Sequence, residues 1–60
     1  SALDRLTARE RLIAEHFGSG KSYKEIAASL TVAPATVRAH LRAIYSKLKI
    51  SDKTELAALL

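Results

Sequence analysis

Arg38 and Arg42 stand four positions apart in a stretch, Ile26 to Ser51, that holds four Lys or Arg (Arg38, Arg42, Lys47, Lys49) and not one Asp or Glu. A guanidinium is a planar, permanently charged fork, matched to phosphate or to the two acceptors, O6 and N7, on the major-groove edge of guanine. Side chains at i and i+4 share one side of a helix. This is the chemistry of binding an anion or a polar edge, not of making bonds. The histidines give no competing signal. His16 and His40 are the only two, and neither has a carboxylate, a nucleophile or a second ligand at a spacing that suggests a triad or a metal pair. With no cysteine there is no disulfide and no thiolate zinc site. The sequence therefore implies no enzyme, no metal and no cofactor.

Two helices must position those arginines. The second opens at Pro34, whose fixed φ suits a first helical position and whose missing N–H would have no intrahelical partner there. It runs to about Leu48 without another Gly or Pro. At 100° per residue Val37, Leu41, Ile44 and Leu48 fall on one narrow stripe, the pattern of a helix packed on a core. Opposite them lie Ala35, Arg38, Ala39, Arg42, Ser46 and Lys49, small residues beside long cations. Such a face lets the backbone approach an anion closely. The preceding helix starts at Ser22 and Glu25, an S-x-x-E capping box. Ile26, Ala27 and Leu30 supply its inward stripe, and Ala27 is small enough for the next helix to cross closely. Thr31, Val32 and Ala33 form the connection, with Val32 expected to point into the core. A turn this short sets the helices at a steep angle and makes the second project, as in a helix-turn-helix. Arginines four apart would otherwise be read as a solvated face; the preceding helix is what changes the reading.

Leu6 to Arg11 (LTARER), Gly20 to Leu30 (GKSYKEIAASL) and Val32 to Ile50 (VAPATVRAHLRAIYSKLKI) together resemble the LuxR/FixJ/GerE-type DNA-binding domain of bacterial transcription regulators. The T-x-R-E, K-E-I-A, T-V-x-x-H and K-L elements occur in order from about Leu3 to the end. The resemblance implies an all-α, four-helix bundle containing a helix-turn-helix, with residues 1–5 a linker remnant and 6–60 the domain. It implies that the third helix enters the major groove of double-stranded DNA and that the fourth makes a homodimer contact. Carried over position by position, the base-facing residues are Arg38, Ala39 and Arg42, and the phosphate-facing ones Lys24, Thr36, His40 and Lys47. Arg38 and Arg42 agree with the helical wheel, while His40 lies near the core stripe. Members of the family also carry an N-terminal regulatory domain in a longer chain. Two departures stand out: Ala33 replaces the usual Ser or Thr, removing a cap worth about 1 kcal/mol, and Lys49 stands where a helix-ending glycine is usual.

The flanking helices read from their own residues. Thr7 and Glu10 form a second capping box, so a helix runs from about Ala8 to Phe17, with Leu12, Ile13, His16 and Phe17 as candidates for its inner side, and Gly18 and Gly20 stop it. A last helix starts near Asp52 and reaches the end. Leu56 and Leu60 align on one side, and Ala57 and Ala58 leave a small, uncharged flank. These residues serve one small core or pack against a second copy equally well; the family resemblance favours a dimer contact around Thr54, Ala57 and Ala58.

The outer limits come from composition. Sixty residues make one domain, which buries only about 60% of the surface of its extended chain and leaves no room for a catalytic pocket. At 48% hydrophobic with continuous helical patterning, the chain is a folded domain and not a disordered tail. No apolar run approaches the roughly 18 residues of a membrane span and no secretory leader is visible, so a cytoplasmic location, on the bacterial nucleoid, is expected. A net charge of +4 and a pI near 9.9 favour a polyanionic partner. Asp4, Glu10, Glu15 and Glu25 lie in the amino-terminal half, which leaves the positive field on the arginine-bearing helix. Tyr23 and Tyr45 are too few and scattered for a single-strand stacking platform. Two other readings stay open: a helical module that docks on an acidic protein, which would show no duplex preference, and a sigma-factor region 4, which shares the L-x-x-R-E-R opening and would need RNA polymerase.

Overall fold

The start of each helix lies where a capping side chain or a proline puts it. In the computed structural model, which describes all residues 1–60, a 3-10 turn at Ala2–Arg5 is followed by α1 (Ala8–Gly18), α2 (Tyr23–Leu30), α3 (Pro34–Leu48) and α4 (Lys53–Leu59). Both capping boxes form. Thr7 Oγ1 accepts from the Glu10 N–H at 3.1 Å while the Thr7 N–H donates to Glu10 Oε1 at 2.9 Å. Ser22 and Glu25 repeat this at 3.1 and 2.8 Å. Asp52 Oδ1 caps α4 through the Glu55 N–H at 2.9 Å, and the Glu55 carboxylate accepts from the Ser51 N–H. Only α3 lacks a capping side chain, because Ala33 precedes Pro34.

Three helices end in the same reversing turn, in which two successive N–H groups fold back onto carbonyls of the last turn. After α1, Gly20 donates to Phe17 at 3.1 Å and Lys21 to His16 at 3.2 Å. After α2, Thr31 donates to Ala28 at 3.3 Å and Val32 to Ala27 at 3.0 Å. After α3, Lys49 donates to Ser46 at 3.3 Å and Ile50 to Tyr45 at 3.0 Å. The turn demands a positive φ, met by Gly20 at 107°, Thr31 at 58° and Lys49 at 55°. Lys49 thus occupies a position that a glycine would fill without steric cost.

The core joins every element: Leu3 from the 3-10 turn, Ile13 and Ala14 from α1, Ile26 and Ala27 from α2, Val37, Leu41, Ile44 and Leu48 from α3, and Leu56 from α4. The α3 stripe is the one read from the sequence. Elsewhere the structure differs in four places. Packing begins ahead of Leu6: within residues 1–5, expected as a linker remnant, the 3-10 turn places Leu3 inward. Val32 is 38% exposed and not in the core: its N–H is turned back to Ala27 and its side chain stays outside. On α1 the inward stripe is Glu10, Ile13 and Ala14 with Phe17 at its edge, and Leu12 is exposed. On α4 Leu56 is buried but Leu60 is largely exposed, lying over Gly18, where any side chain would run into it.

Glu10 is the one buried charge, and it ties α1 to α3. Lys47 Nζ donates to Oε1 at 2.7 Å and Oε2 at 2.9 Å, across 37 residues of sequence. With the Thr7 N–H on the same carboxylate, the lone pairs of Glu10 are well used, and no buried side-chain polar atom lacks a partner. The Lys47 hydrogen bonds, followed by that from Thr7, hold the Glu10 carboxyl below its ordinary range against the opposing push of burial.

Candidate nucleic-acid interface

The fifteen residues of α3 are half core and half surface. With Val37, Leu41, Ile44 and Leu48 turned inward, the side opposite carries Ala35, Ala39, Arg42 and Ser46, all exposed. Arg38 is exposed on the flank beside α2, where its guanidinium carbon lies 6.0 Å from the centroid of the Tyr23 ring. The other flank, towards α1, carries Thr36, exposed, His40, half-buried, and Lys47, whose side chain is 39% exposed. Neither Arg38 nor Arg42 has a carboxylate partner; the ion pairs of the chain are Ser1 with Asp4, Arg11 with Glu15 and Lys47 with Glu10. Both guanidiniums are therefore free of intramolecular carboxylates and open to an external anion.

Around this helix the residues singled out in the sequence fall into three groups. Ala39 and Arg42 share the open side of α3, with Arg38 exposed on its flank beside α2. Lys24, in the first turn of α2, and Thr36 and His40 stand to either side of it, and all but His40 are exposed. Lys47 differs, because two of its three ammonium protons are held by Glu10 and one remains for another acceptor. Thr54, Ala57 and Ala58 lie apart, exposed on α4 with Leu59 and Leu60.

Sequence reasoning missed the aromatic contacts beside Arg38. Tyr23 stacks on Phe17 with ring centroids 5.3 Å apart and planes 7° from parallel, and Lys53 Nζ stands 4.6 Å from the Phe17 ring centroid. Tyr23 and Tyr45 line a shallow groove between α2 and α3 together with Arg38, Leu41 and Arg42. The spacing of Phe17 and Tyr23 crosses a loop, so no helical period announces their contact. Tyr45 also packs on the core, and burial, with Tyr23 and Asp52 adding to it, raises its hydroxyl above the ordinary phenol value, so it stays neutral at pH 7. No cluster of three or more His, Asp or Glu is placed to hold a metal ion, and no helix is long and apolar enough to cross a membrane.

Known proteins resemble this sequence. Transcriptional regulatory protein UhpA of Escherichia coli K12 is 46% identical over 54 residues, 90% of this chain and 28% of its own length. The Mycobacterium tuberculosis protein named "Probable transcriptional regulatory protein NarL" is 43% identical over 53 residues, 88% of this chain and 24% of its own. Uncharacterized transcriptional regulatory protein YhcZ of Bacillus subtilis is 40% identical over 52 residues, 87% of this chain and 24% of its own. The chain thus spans about a quarter of the length of the relatives it matches, which carry the names of regulators and not of enzymes. No solved structure matches it. The family described as "Bacterial regulatory proteins, luxR family" matches residues 4–60, and with four helices, a helix-turn-helix at α2–α3 and no strand, the chain belongs to that family.

Proposed function

We propose that the chain is the sequence-specific DNA-binding output domain of a transcription regulator, that α3 lies in the major groove of double-stranded DNA, and that two copies bind an inverted repeat. The observation that carries this reading is the side of α3 opposite the core: Ala35 and Ala39 keep the helix surface low, Arg38 and Arg42 rise beside them unpaired, and no carboxylate repels a phosphate. The groove is about 12 Å wide and admits one helix. Arg38 and Arg42 read base edges and Ala39 sits against the base pairs. Lys24 on one side, and Thr36, His40 and the remaining proton of Lys47 on the other, meet phosphates, which fix register and contribute most of the affinity. Thr54, Ala57 and Ala58 on α4 pack against a second copy and set the half-sites about one helical turn apart. An N-terminal regulatory domain in the longer chain controls access to this state, on the nucleoid.

Selection of preferred duplexes from a random pool, followed by salt titration on the selected sequence, tests the reading. A palindromic site and a steep fall of affinity with salt are expected. Recovery of a pool with no preferred sequence would overturn it.

A further inference from the structure

We infer that Tyr23 is a positioning residue for Arg38: its ring holds the guanidinium at the edge of α3 in the free protein, so that the side chain arrives at a base edge already ordered. Arg38 has no carboxylate partner, and the ring of Tyr23 is the only aromatic face its guanidinium stands over, at 6.0 Å. Tyr23 cannot swing freely, because its ring is stacked on Phe17 at 5.3 Å and 7°. Phe17 is fixed in turn by packing on the core and by Lys53 Nζ at 4.6 Å. The electron-rich faces of these rings bind a cation at each end, so the groups form a braced ladder from α4 through α1 and α2 to the open side of α3. A long, unpartnered arginine loses rotamer freedom when it docks, and an arginine already held loses less. Tyr23 thereby acts on the pairing of Arg38 with its base and on no other base pair.

At 6.0 Å the contact is at the outer end of the useful cation–ring range, so the effect is modest, about two- to fivefold in binding constant. The inference rests on the reading of Arg38 as a base contact, and the test separates the two. Tyr23→Leu and Tyr23→Phe are each made alone and with Arg38→Ala, and binding is measured to the selected duplex and to its single-base-pair substitutions. Melting of each variant and the NMR resonances of the Arg38 side chain are recorded without DNA. Tyr23→Leu is expected to lower discrimination about two- to fivefold at the base pair that Arg38→Ala affects, and to have no further effect once Arg38 is gone. Tyr23→Phe, which keeps the ring, is expected to retain it. In the free protein the ring-current shift of the Arg38 side chain should vanish with Tyr23→Leu and persist with Tyr23→Phe. Equal losses on every duplex, a loss unchanged in the Arg38→Ala background, a Tyr23→Phe defect as large as that of Tyr23→Leu, or an Arg38 signal indifferent to the ring would each overturn the inference. If Tyr23→Leu fails to fold, Tyr23→Phe and Overhauser contacts between Arg38 and the Tyr23 ring in the unaltered protein decide it. Absence of any duplex preference in the unaltered protein would defeat the DNA-reading function instead, while the NMR measurement would still report whether the ring holds Arg38.

Discussion

Lys47→Ala separates what this lysine does for the fold from the phosphate contact proposed for it. Its removal leaves a carboxylate whose side chain is 8% exposed and which keeps the hydrogen bond it accepts from the Thr7 N–H. Losing one partner of a fully buried pair costs about 3–5 kcal/mol, and losing a charge-assisted hydrogen bond about 1.5–3. Because the Lys47 end of the pair is 39% exposed, water can enter the space it vacates, which places the expected loss near 2 kcal/mol. For a domain of this size that is a fall in Tm of roughly 8–16 °C. The deficit must also depend on pH. In the unaltered protein the Glu10 carboxyl titrates below its ordinary 4.5, so the pair's stabilisation is fully present above that value and is lost as pH falls through the lower, folded value. In Lys47→Ala the leading cause of the lowering is gone and burial still pushes the other way, so Glu10 protonates earlier and protonation relieves the defect. Thermal melting of both proteins from pH 7 to pH 3 should show Tm curves that converge below about 4.5. Parallel curves would refute the assignment of the defect to an orphaned carboxylate. A domain of sixty residues has roughly 3–9 kcal/mol in hand, so the variant remains folded in the cold and its DNA binding can be measured there. Glu10→Gln supplies the complement: it should lower Tm while leaving Lys47 in place and freer to reach a phosphate.

Arg42→Ala is expected to cost about 1–3 kcal/mol of binding and to relax preference at one base pair of the selected site. An equal loss on every duplex would make Arg42 a phosphate contact instead. Lys24→Ala should weaken all duplexes alike and reduce the slope of log affinity against log salt by about 1, read from the same titrations. Lys49→Gly relieves a left-handed residue, worth about 1–2 kcal/mol, against about 0.4–1 kcal/mol of added freedom in the unfolded chain, for a net gain of about 0.8 kcal/mol at mid-range. A rise in Tm of several degrees checks it, and no rise would mean that the Lys49 side chain stabilises the fold by as much as its backbone strains it.

What could be read from the sequence was whatever is local. Thr7–Glu10, Ser22–Glu25 and Pro34 are signals contained in four residues or fewer, and they fixed where three helices begin. The α3 stripe was legible because all four of its inward residues are large and apolar at an unbroken period. On α1 the same period is present but disguised. Its inward positions are Glu10, Ile13, Ala14 and Phe17, and a charged residue and a small one do not register as core, so apolar Leu12 and His16 drew the stripe away from its true line. Glu10 is inward only because Lys47 is there to meet it, and a pairing across 37 residues has no signature in either segment. The exposed arginines on one face of α3 were legible. The Tyr23–Phe17 contact that borders that face was not, since it depends on how α1 and α2 come to rest.

The face proposed for recognition and the core are two sides of one helix, and this arrangement constrains how function can be mapped. Four of the buried residues, Val37, Leu41, Ile44 and Leu48, come from α3, so that helix contributes more of the core than any other element. Its position relative to the rest is therefore set by the same contacts that hold the domain together, and Glu10–Lys47 pins its far end from the side. A small domain of this kind gains a rigid reader without a dedicated scaffold, because the fold is the scaffold. The corollary is that loss of DNA binding on substituting an inward residue carries no information about recognition: a cavity at Ile44 or Val37 would destabilise by about 0.5–5 kcal/mol, comparable with the whole stability of the domain. Only the outward positions can test the proposed groove contact, and among them only those whose loss is selective between duplexes can report on bases. Ala35 and Ala39 are informative in the opposite sense. In the proposed docking mode, enlarging either would add nothing to the core and would lift the helix from the groove floor, so a bulky residue there should abolish binding while leaving melting unchanged.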